Sequence, residues 1–374
     1  MSKKVLITGG AGFIGSHLAD ELLAHGHTVR VLDNLSPRVH QGGKRPSYLS
    51  QEVELVVGDV RDGALVERAL EGMEVVFHLA AAVGAGESVF EIDRCMSANN
   101  VGTAVLMDRL VRSSVERLIL GSSMSVYGEG LYRDECGSPT EILRRRPEQL
   151  RRGEWDPTSS DGSSRLTPIA TPESKTPSIE GSVYAGSKYD QERMCLRFGR
   201  AFGIPTMALR FFNVFGVRQS LSNPYTGDLA RFASRLLAGR RPLLSEDGGQ
   251  LRDFVDVREV ATACRFAMTS DTRHAVINVG SGRATSLFDM ARRMASVAGV
   301  SKLAPEITGK YHIGDVRHCF ADVTRAEQAL GHSADGHLDA GLLELLDWVA
   351  NQTQTTMKKT SYPTYVQLEL GLAS

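Results

Sequence analysis

The fold of this 374-residue chain is decided by the stretch Val5-Leu6-Ile7-Thr8-Gly9-Gly10-Ala11-Gly12-Phe13-Ile14-Gly15. An apolar strand leads into glycines at positions 9, 12 and 15 and then into a helix. Glycine lets the backbone turn tightly and approach a pyrophosphate, while the free N–H groups and the positive dipole end of the helix face that anion. The stretch therefore predicts a dinucleotide site at the first strand of an α/β sheet.

A carboxylate closes the second predicted strand. The run Thr28-Val29-Arg30-Val31-Leu32 ends at Asp33. This side chain is placed to accept hydrogen bonds from the adenosine ribose hydroxyls and to repel the additional phosphate of NADP. A glycine triplet alone also occurs in plain turns, but a strand before it, a helix after it and Asp33 favour nucleotide binding. The predicted cofactor is NAD.

The charge of the chain is nearly balanced. The 43 Lys and Arg residues stand against 44 Asp and Glu residues, which gives a formal charge of −1, and no sustained basic stripe is present. Nucleic acids demand clustered Lys and Arg. We therefore expect a small-molecule ligand and no nucleic-acid partner.

The sequence also carries signals about location. The first predicted strand starts within a few residues of Met1, and no apolar run approaches the span of a membrane helix, so we expect a cytoplasmic protein. The cysteines are odd in number and widely scattered, which indicates reduced, mostly structural residues. They are Cys95, Cys136, Cys195, Cys264 and Cys319.

Short apolar strands alternate with amphipathic helices in the first half of the chain. This alternation predicts a doubly wound parallel sheet with helices on both faces and right-handed connections. In the helix from Phe13, apolar residues recur at Ile14, Leu18 and Leu22, the spacing of one buried face. The predicted strands lie near residues 4–8, 28–33, 53–57, 74–79, 116–121 and 205–210.

The alternation breaks at residues 131–180, which are rich in Pro, Ser, Thr, Gly and Arg. We interpret this segment as a long inserted loop. Loops of this length are usually either functional lids or mobile excursions, and the composition does not choose between them. We favour an ordered rim above the site. We predict a nucleotide-binding domain over 1–210, a smaller substrate lobe over 211–350 with chain crossovers, and a polar tail over 351–374. The helices of the lobe are predicted near 228–238, 257–268, 285–298, 322–331 and 338–350.

Candidate chemistry begins at Tyr184-Ala185-Gly186-Ser187-Lys188, which opens a helix. Tyr184 and Lys188, four residues apart, share one helix face. For a tyrosine to act as a base near neutral pH, its pKa must fall by about 3 units, or roughly 4 kcal/mol. The Lys188 ammonium and a nicotinamide ring would supply much of that shift. An ordinary exposed Tyr and Lys pair is the alternative, and the glycine stretch counts against it.

Hydroxyl groups collect at the end of another predicted strand, in Gly121-Ser122-Ser123-Met124-Ser125-Val126-Tyr127-Gly128. Open α/β sheets bind their ligands at the carboxyl ends of their strands. Ser123 is placed to share a hydrogen bond with a substrate hydroxyl and Tyr184. The same serines would also serve to satisfy backbone groups alone.

Taken together, these motifs resemble the extended short-chain dehydrogenase/reductases that act on nucleotide sugars, the UDP-glucose 4-epimerase group, whose nucleotide domain is a Rossmann fold. The resemblance spans nearly the whole chain. The segment from Gln219 to Gly227 and the long insert look most like the dTDP-L-rhamnose 4-epimerase branch. The matching motifs are TGGAGFIG (8–15), Asp33-Asn34, Gly58-Asp59-Val60, His78-Leu79-Ala80-Ala81, Asn99, SSMSVYG (122–128), YAGSK (184–188), RFFNVFG (210–216) and Arg252-Asp253-Phe254-Val255.

The resemblance implies a mechanism with NAD as a tightly bound cofactor. Tyr184 takes the proton of the sugar 4-OH as a hydride leaves C4, and the 4-keto sugar then rotates and receives the hydride on its other face. Ser123, Tyr184 and Lys188 are the implied catalytic residues. The implied cofactor-binding residues are Gly9, Gly12, Phe13, Ile14, Gly15, Asp33, Asn34, Asp59, Val60, Leu79, Ala80, Ala81, Asn99, Ser122, Tyr184, Lys188 and Phe211.

The nucleoside-diphosphate sugar would contact a second set of residues. Where relatives carry a basic diphosphate contact, this chain reads His312-Ile313-Gly314-Asp315-Val316-Arg317, so the contact is weakened or moved to Arg317. His312 could serve instead, or be a solvated loop residue. The implied substrate-binding residues are Ser123, Asn213, Asn223, Arg252, His312 and Arg317.

Departures from related sequences narrow the reaction. Met124-Ser125 stands where sugar-nucleotide dehydratases carry an Asp-Glu pair, and where decarboxylases and 3,5-epimerases carry Glu or Cys. Cys136 lacks the partners of a metal knuckle, so no metal is expected. A 4-epimerase is the favoured interpretation. A ketoreductase or dehydrogenase that exchanges its cofactor and a non-catalytic NAD-binding protein are the alternatives.

The family also implies a homodimer. It would form through the helix that carries Tyr184 and the helix that follows Asn99, and the compatible apolar residues there are Val105, Leu106, Leu110 and Met194.

Overall fold

The computed structural model describes residues 2–83, 91–142, 144–159, 161–162, 164–178, 182–220, 227–334 and 336–357. The strands are β1 (Lys4–Thr8), β2 (Thr28–Asp33), β3 (Glu54–Val57), β4 (Val75–His78), β5 (Arg117–Ser123), β6 (Leu131–Arg133), β7 (Pro139–Glu141), β8 (Thr167–Ile169), β9 (Thr206–Phe211), β10 (Asn213–Phe215), β11 (Leu243–Leu244), β12 (Leu251–Arg252), β13 (Phe254–Asp256), β14 (Ala275–Val279), β15 (Thr285–Ser286), β16 (Glu306–Ile307) and β17 (His318–Cys319).

The α-helices are α1 (Phe13–Ala24), α2 (Gly63–Leu70), α3 (Ile92–Met96), α4 (Gly102–Leu110), α5 (Pro147–Arg151), α6 (Val183–Phe202), α7 (Asp228–Leu237), α8 (Val257–Thr269), α9 (Leu287–Val297), α10 (Thr324–Leu330) and α11 (Leu338–Met357). A π-helical turn, Ser97–Val101, joins α3 to α4. Within the described ranges, no helix combines the length and the apolar character that crossing a membrane requires.

The main sheet has seven strands in the order β14-β9-β5-β4-β1-β2-β3, and every neighbouring pair is parallel. This is the predicted doubly wound sheet, and the six predicted strands agree with the observed ones to within two residues. The winding reverses between β1 and β4, which end at Thr8 and His78. Ligands of open α/β sheets bind outside such a reversal point.

Both faces of the sheet are covered by helices, and part of that cover comes from late in the chain. Leu18, Ala19 and Leu22 of α1 are fully buried in one core together with Val260 and Ala263 of α8. Strand β14 extends the sheet beyond β9. Segments after residue 210 therefore complete the large sheet.

The lobe expected to bind the substrate, called here the substrate-side lobe, has a separate apolar core. Phe232 of α7, Met290 of α9 and Leu345 of α11 are almost completely shielded from solvent there. The last of these helices continues to Met357, so the first residues of the predicted tail are helical. Residues 358–374 lie outside the described part of the chain.

The insert at 131–180 is more regular than the predicted loop. Strands β7, β6 and β8 form a small antiparallel sheet, and α5 follows β7. Tyr132, Leu150 and Leu166 are buried, so this segment has apolar anchors of its own. Strands of three residues are too short to show a period of two in a Pro- and Ser-rich sequence, which explains why they were not predicted.

Candidate active site

The glycine loop between β1 and α1 has no room for side chains. Gly9 has a φ of +70°, and a Cβ atom on it would lie 2.7 Å from the backbone nitrogen of Ala80. A Cβ atom on Gly15 would lie 2.5 Å from the carbonyl oxygen of Gly9, and one on Gly12 would lie 3.3 Å from the same oxygen. Helix α1 begins at this loop without a side-chain cap, which leaves first-turn N–H groups for an anion. The cradle therefore fits the pyrophosphate of a dinucleotide.

Acidic side chains surround the position expected for the adenosine. The Asp33 carboxylate accepts hydrogen bonds from the backbone N–H groups of Ala11, at 3.0 Å, and Leu35, at 2.9 Å, which fix it beside the glycine loop. Asp59 accepts a hydrogen bond from Asn34 at 3.5 Å. Hydrogen bonds from Arg61 lower the pKa of Asp59 to about 2, so this residue is a carboxylate at neutral pH. The structure thus brings together Asp33, Asn34 and Asp59, as the resemblance implies.

The loop after β4 is held from beneath by Asn99. The Asn99 side chain accepts a hydrogen bond from Ala82 N at 2.7 Å and donates to Ala82 O at 3.2 Å and to the Ser187 hydroxyl at 2.9 Å. Because Asn99 is fully buried and its amide is engaged inside the protein, it shapes the loop that contains Ala80 and Ala81. Direct contact with the cofactor, the role expected for Asn99, is not supported by this geometry.

Tyr184 and Ser123 meet between the first turn of α6 and the end of β5. Ser182 caps α6 by accepting a hydrogen bond from Ala185 N at 3.1 Å, which fixes the turn that carries Tyr184. Burial raises the pKa of Tyr184 to about 12, and the hydrogen bond with Ser123 acts in the opposite direction. The Ser125 hydroxyl donates to Ser123 Oγ at 2.9 Å. The protein environment by itself therefore keeps Tyr184 protonated, and the lowered pKa expected from Lys188 together with a nicotinamide ring stays a prediction.

Lys188 is almost completely buried one helical turn after Tyr184. Its ammonium group donates to the carbonyl oxygen of Gly121 at 2.7 Å and to Gln191 Oε1 at 2.9 Å. Burial lowers the pKa of Lys188 to about 8. This cation is thus held beside the carboxyl end of β5.

Ser122 faces the protein interior. Its hydroxyl donates to Glu192 Oε1 at 2.5 Å, and Glu192 also pairs with Arg210. The side chain of Ser122 is therefore engaged within the fold, and the structure does not support its expected contact with the cofactor. Glu192 and Gln191 were missed in the sequence, although both lie on the face of α6 that carries Tyr184 and Lys188.

The apolar residues expected around the cofactor lie in two places, the cores on the faces of the sheet and the start of α1. Val60 and Phe211 belong to the buried cores on the two faces of the sheet, and Leu79 packs against one of these cores. Phe13 and Ile14 are half-buried at the start of α1, next to the glycine loop. These five residues thus border the edge of the sheet where the cradle lies.

The residues expected to bind the diphosphate differ in how far their polar groups are already hydrogen-bonded within the protein. Asn213 Oδ1 is buried and has no hydrogen-bond partner among the described residues, as expected for a ligand contact. Arg252 donates to the carbonyl oxygens of Arg317, at 3.0 Å, and Val316, at 2.6 Å, which hold its guanidinium in place. His312 is exposed. Asn223 lies outside the described residues.

Arg317 is not available to a diphosphate. Its guanidinium donates to Asp156 at 2.8 Å, to Glu246 at 2.8 Å and to Asp247 at 2.7 Å, and its side chain is only 3% exposed. Three carboxylates saturate the donors of one guanidinium and repel a further anion. The expected diphosphate role of Arg317 is therefore incorrect; this side chain joins the insert to the substrate-side lobe.

A parallel sheet with a glycine cradle at β1, an acid after β2, and Ser, Tyr and Lys at the end of β5 and the start of α6 defines a short-chain dehydrogenase of the extended type. Sequence comparison specifies the family. The model of the NAD dependent epimerase/dehydratase family matches residues 5–147 and 160–280, and the chain belongs to this family. NAD, the cofactor predicted from Asp33, is confirmed by this assignment.

The similarity to individual relatives extends over nearly their whole length. The chain is 36% identical to a dTDP-L-rhamnose 4-epimerase of Burkholderia thailandensis, covering 94% of this chain and 96% of the relative. Among solved structures, it is similar to UDP-glucose 4-epimerase from Thermotoga maritima with UDP-glucose, with a TM-score of 0.75, 29% identity and coverage of 94% and 99%. The UDP-glucose 4-epimerase of Thermus thermophilus in complex with NAD gives a TM-score of 0.70 at 28% identity, with coverage of 93% and 99%.

Proposed function

We propose that this chain is a nucleotide-sugar 4-epimerase that retains NAD throughout turnover. The observation that carries the proposal is the pairing of Ser123 with Tyr184, one helical turn from the buried ammonium of Lys188, at the sheet edge that holds the glycine cradle. NAD, when bound there, supplies a hydride acceptor that later acts as the donor. Its pyrophosphate would lie against Gly9, Gly12 and Gly15, and its adenosine beside Asp33 and Asp59.

The protein residues manage the proton. Tyr184 removes the proton of the sugar 4-hydroxyl while C4 loses a hydride, and the Ser123 hydroxyl holds the two oxygens in line. Since the protein environment, chiefly burial, raises the pKa of Tyr184 to about 12, the phenolate needs positive charge close by. Lys188 is the cation of the chain on that helix face. When the 4-keto sugar presents its other face and C4 regains the hydride, Tyr184 returns the proton, so the net reaction is redox-neutral.

The diphosphate of the substrate is assigned to Asn213, Arg252 and His312. The Asn213 amide nitrogen is able to donate to a phosphate oxygen, and its buried Oδ1, which has no partner in the described residues, remains for an N–H or O–H group elsewhere on the nucleotide sugar. Arg252 offers a fixed guanidinium, the group best suited to phosphate oxygens. The first substrate to try is dTDP-L-rhamnose, because the Burkholderia relative bears that activity in its name and spans the same length.

We also propose that the enzyme is a cytoplasmic homodimer that serves carbohydrate biosynthesis. Val101, at the turn before α4, is 53% exposed, and Phe202 at the end of α6 is 54% exposed, so apolar surface remains on the two helices that would pair. Val105 and Met194 are half-buried and remain candidates. Leu106 and Leu110 are fully buried within the protomer, so they belong to its core and not to an interface. Light scattering at micromolar concentration should give twice the mass of one chain, and a monomer would refute the pairing.

The proposal is tested by incubating purified protein, without added cofactor, with dTDP-L-rhamnose, UDP-glucose, UDP-galactose or UDP-glucuronate and following each sugar by NMR. Formation of the C4 epimer without added NAD is the expected result. Conversion only when NAD or NADH is supplied, with the nucleotide consumed in proportion, would establish the ketoreductase or dehydrogenase alternative. Binding without conversion of any sugar would favour a non-catalytic NAD-binding protein.

A further inference from the structure

A continuous chain of buried polar side chains runs beneath the candidate site. Thr8 Oγ1 lies 2.7 Å from His78 Nδ1, His78 Nε2 lies 2.9 Å from Thr103 Oγ1, and Gln191 Nε2 lies 2.7 Å from Thr103 Oγ1. Gln191 Oε1 then accepts from Lys188 Nζ at 2.9 Å. Thr8, His78, Thr103 and Gln191 are completely shielded from solvent, so each of their polar atoms depends on a protein partner.

The hydrogen-bond directions in this chain are determined by the number of donors. Thr103 has one hydroxyl proton, which it donates to Asn99 O at 2.5 Å. Thr103 Oγ1 must therefore accept from its other two neighbours, Gln191 Nε2 and His78 Nε2. The proton of the neutral His78 ring is thus on Nε2, and His78 Nδ1 accepts the proton of Thr8. The low pKa of His78, about 3 because of burial, agrees with a neutral ring.

These directions leave Gln191 a single orientation. Its amide nitrogen donates to Thr103 Oγ1 and to Asn99 O, at 3.1 Å, so its amide oxygen points to Lys188. Lys188 places two of its three N–H groups on Gly121 O and Gln191 Oε1, and the third remains for the site. Thr8 also accepts a hydrogen bond from Ala80 N at 3.2 Å, beside the glycine loop.

We infer that Gln191 is a positioning residue for Lys188, with its amide held by Thr103 and Asn99 so that the Lys188 ammonium points into the site. The same chain connects Lys188 to the glycine loop through Thr8, so the two regions that would hold NAD share one hydrogen-bonded support. The inference deepens the proposed function and rests on it for the role of Lys188. A methionine in place of Gln191 would fill its volume but would leave Lys188 with one acceptor fewer.

The test compares four variants with the wild-type enzyme. In Gln191→Met, kcat should fall about 10-fold with little change in KM, because a hydrogen bond to a buried cation is lost. The amount of NAD that remains with the protein after purification, measured by absorbance after acid release, should fall as well. Gln149→Met is the matched control: it also removes a buried glutamine, but one in the insert that donates to Asp156 O, and it should leave both quantities unchanged.

Thr103 provides the rescue pair. Thr103→Ser keeps the hydroxyl and should behave as the wild type in kcat and retained NAD, whereas Thr103→Val removes it at equal volume and should shift both in the direction of Gln191→Met. If Gln191→Met matches Gln149→Met in both readouts, or if Thr103→Val matches Thr103→Ser, the inference is overturned. Should Gln191→Met fail to fold, the Thr103 pair decides. If the wild type converts no sugar, the proposed function fails. The inference about Gln191 is then still tested by comparing the amount of NAD that the variants and the wild type retain after purification.

Discussion

The carboxylate of Glu192 accepts hydrogen bonds from Arg210 Nε and Nη2 at 2.9 and 2.8 Å, and both side chains are at most 4% exposed. The Ser122 hydroxyl donates to the same carboxylate, and the Arg210 guanidinium lies over the ring of Tyr127, 4.5 Å from its centroid. This pair therefore joins α6 to β9 next to the strand end that carries Ser123. A buried charge that loses its partner is costly, so the pair fixes the position of the helix that carries Tyr184.

Replacing Glu192 with glutamine should be strongly destabilising. Glu192→Gln keeps the shape but leaves Arg210 as a buried, uncompensated cation, for which we expect a loss of about 3–5 kcal/mol in the free energy of unfolding. The free energy of unfolding is measured by urea titration with circular dichroism as the signal. Glu344→Gln breaks a half-exposed pair with Arg258 and should cost less than about 1 kcal/mol. Equal losses in the two variants would contradict the importance assigned to the buried pair.

Replacing Tyr184 with phenylalanine should separate chemistry from cofactor binding. Tyr184→Phe removes the group that exchanges the proton with the sugar, so turnover should fall by about 10²–10⁴-fold while NAD stays bound. Turnover is followed by NMR and bound NAD by absorbance after acid release. Tyr189→Phe deletes a phenol on the same helix and should keep most of the activity. Unchanged turnover in Tyr184→Phe would remove this residue from its role.

Cofactor preference should depend on Asp33. Asp33→Ser removes the negative charge expected to repel the additional phosphate of NADP, so the preference for NAD over NADP should fall by about 10-fold or more. Isothermal titration of nucleotide-free protein with each dinucleotide gives the two affinities. Asp62→Ser is the matched control, since Asp62 caps α2 and serine preserves the cap. A preference unchanged in Asp33→Ser would show that another group selects NAD.

The insert should loosen when its buried ion pairs are broken. Glu246 pairs with Arg145 at 2.7 Å and with Arg317 at 2.8 Å, and its side chain is 1% exposed. Glu246→Gln leaves two arginines with less compensation, so trypsin should cut the insert at least about 10-fold faster. The cleavage rate at the arginines of α5 and its flanks measures this opening. Glu154→Gln, which affects an exposed pair with Arg152, should digest at the wild-type rate.

The sequence predicted those parts of the molecule whose signals are local. The glycines of the first loop, Asp33 at the end of β2, and the four-residue spacing of Tyr184 and Lys188 are each contained in a short segment, and the predicted sheet follows from such segments. Arg317 shows the limit of this approach. Its carboxylate partners come from residues 156, 246 and 247, and no local pattern joins those positions to residue 317.

Two polar residues of helix α6 show the same limit of sequence-based prediction. Gln191 and Glu192 are visible in the sequence as polar residues on the face of α6 that carries Tyr184. Their partners come from the π-helical turn, α4, β5 and β9, so only the fold shows that Gln191 meets Thr103 and that Glu192 meets Arg210. Side chains with tertiary partners of this kind are found by asking which polar residues a buried helix face must satisfy.

Acid should destabilise the protein through buried histidines. Burial and the charge of Arg218 lower the pKa of His17 to about 4, and burial lowers the pKa of His78 to about 3. A histidine whose folded pKa lies below its unfolded value near 6.5 contributes its full stability above pH 6.5 and loses it as the pH falls. Each of the two should therefore cost about 2 kcal/mol between pH 7.5 and 5, with a slope that approaches about 1.4 kcal/mol per pH unit below pH 6.5.

His17 allows this effect to be isolated. Its Nε2 lies 3.2 Å from the carbonyl oxygen of Val217, and a glutamine amide is able to make the same hydrogen bond without titrating. In His17→Gln, the difference in unfolding free energy between pH 7.5 and pH 5 should shrink by about 2 kcal/mol, measured by urea unfolding at a fixed NAD concentration. His25→Gln, at the exposed end of α1, is the control and should keep the wild-type difference. Since the pKa of Asp59 is lowered to about 2, its protonation falls below this pH window and does not mask the histidine contribution.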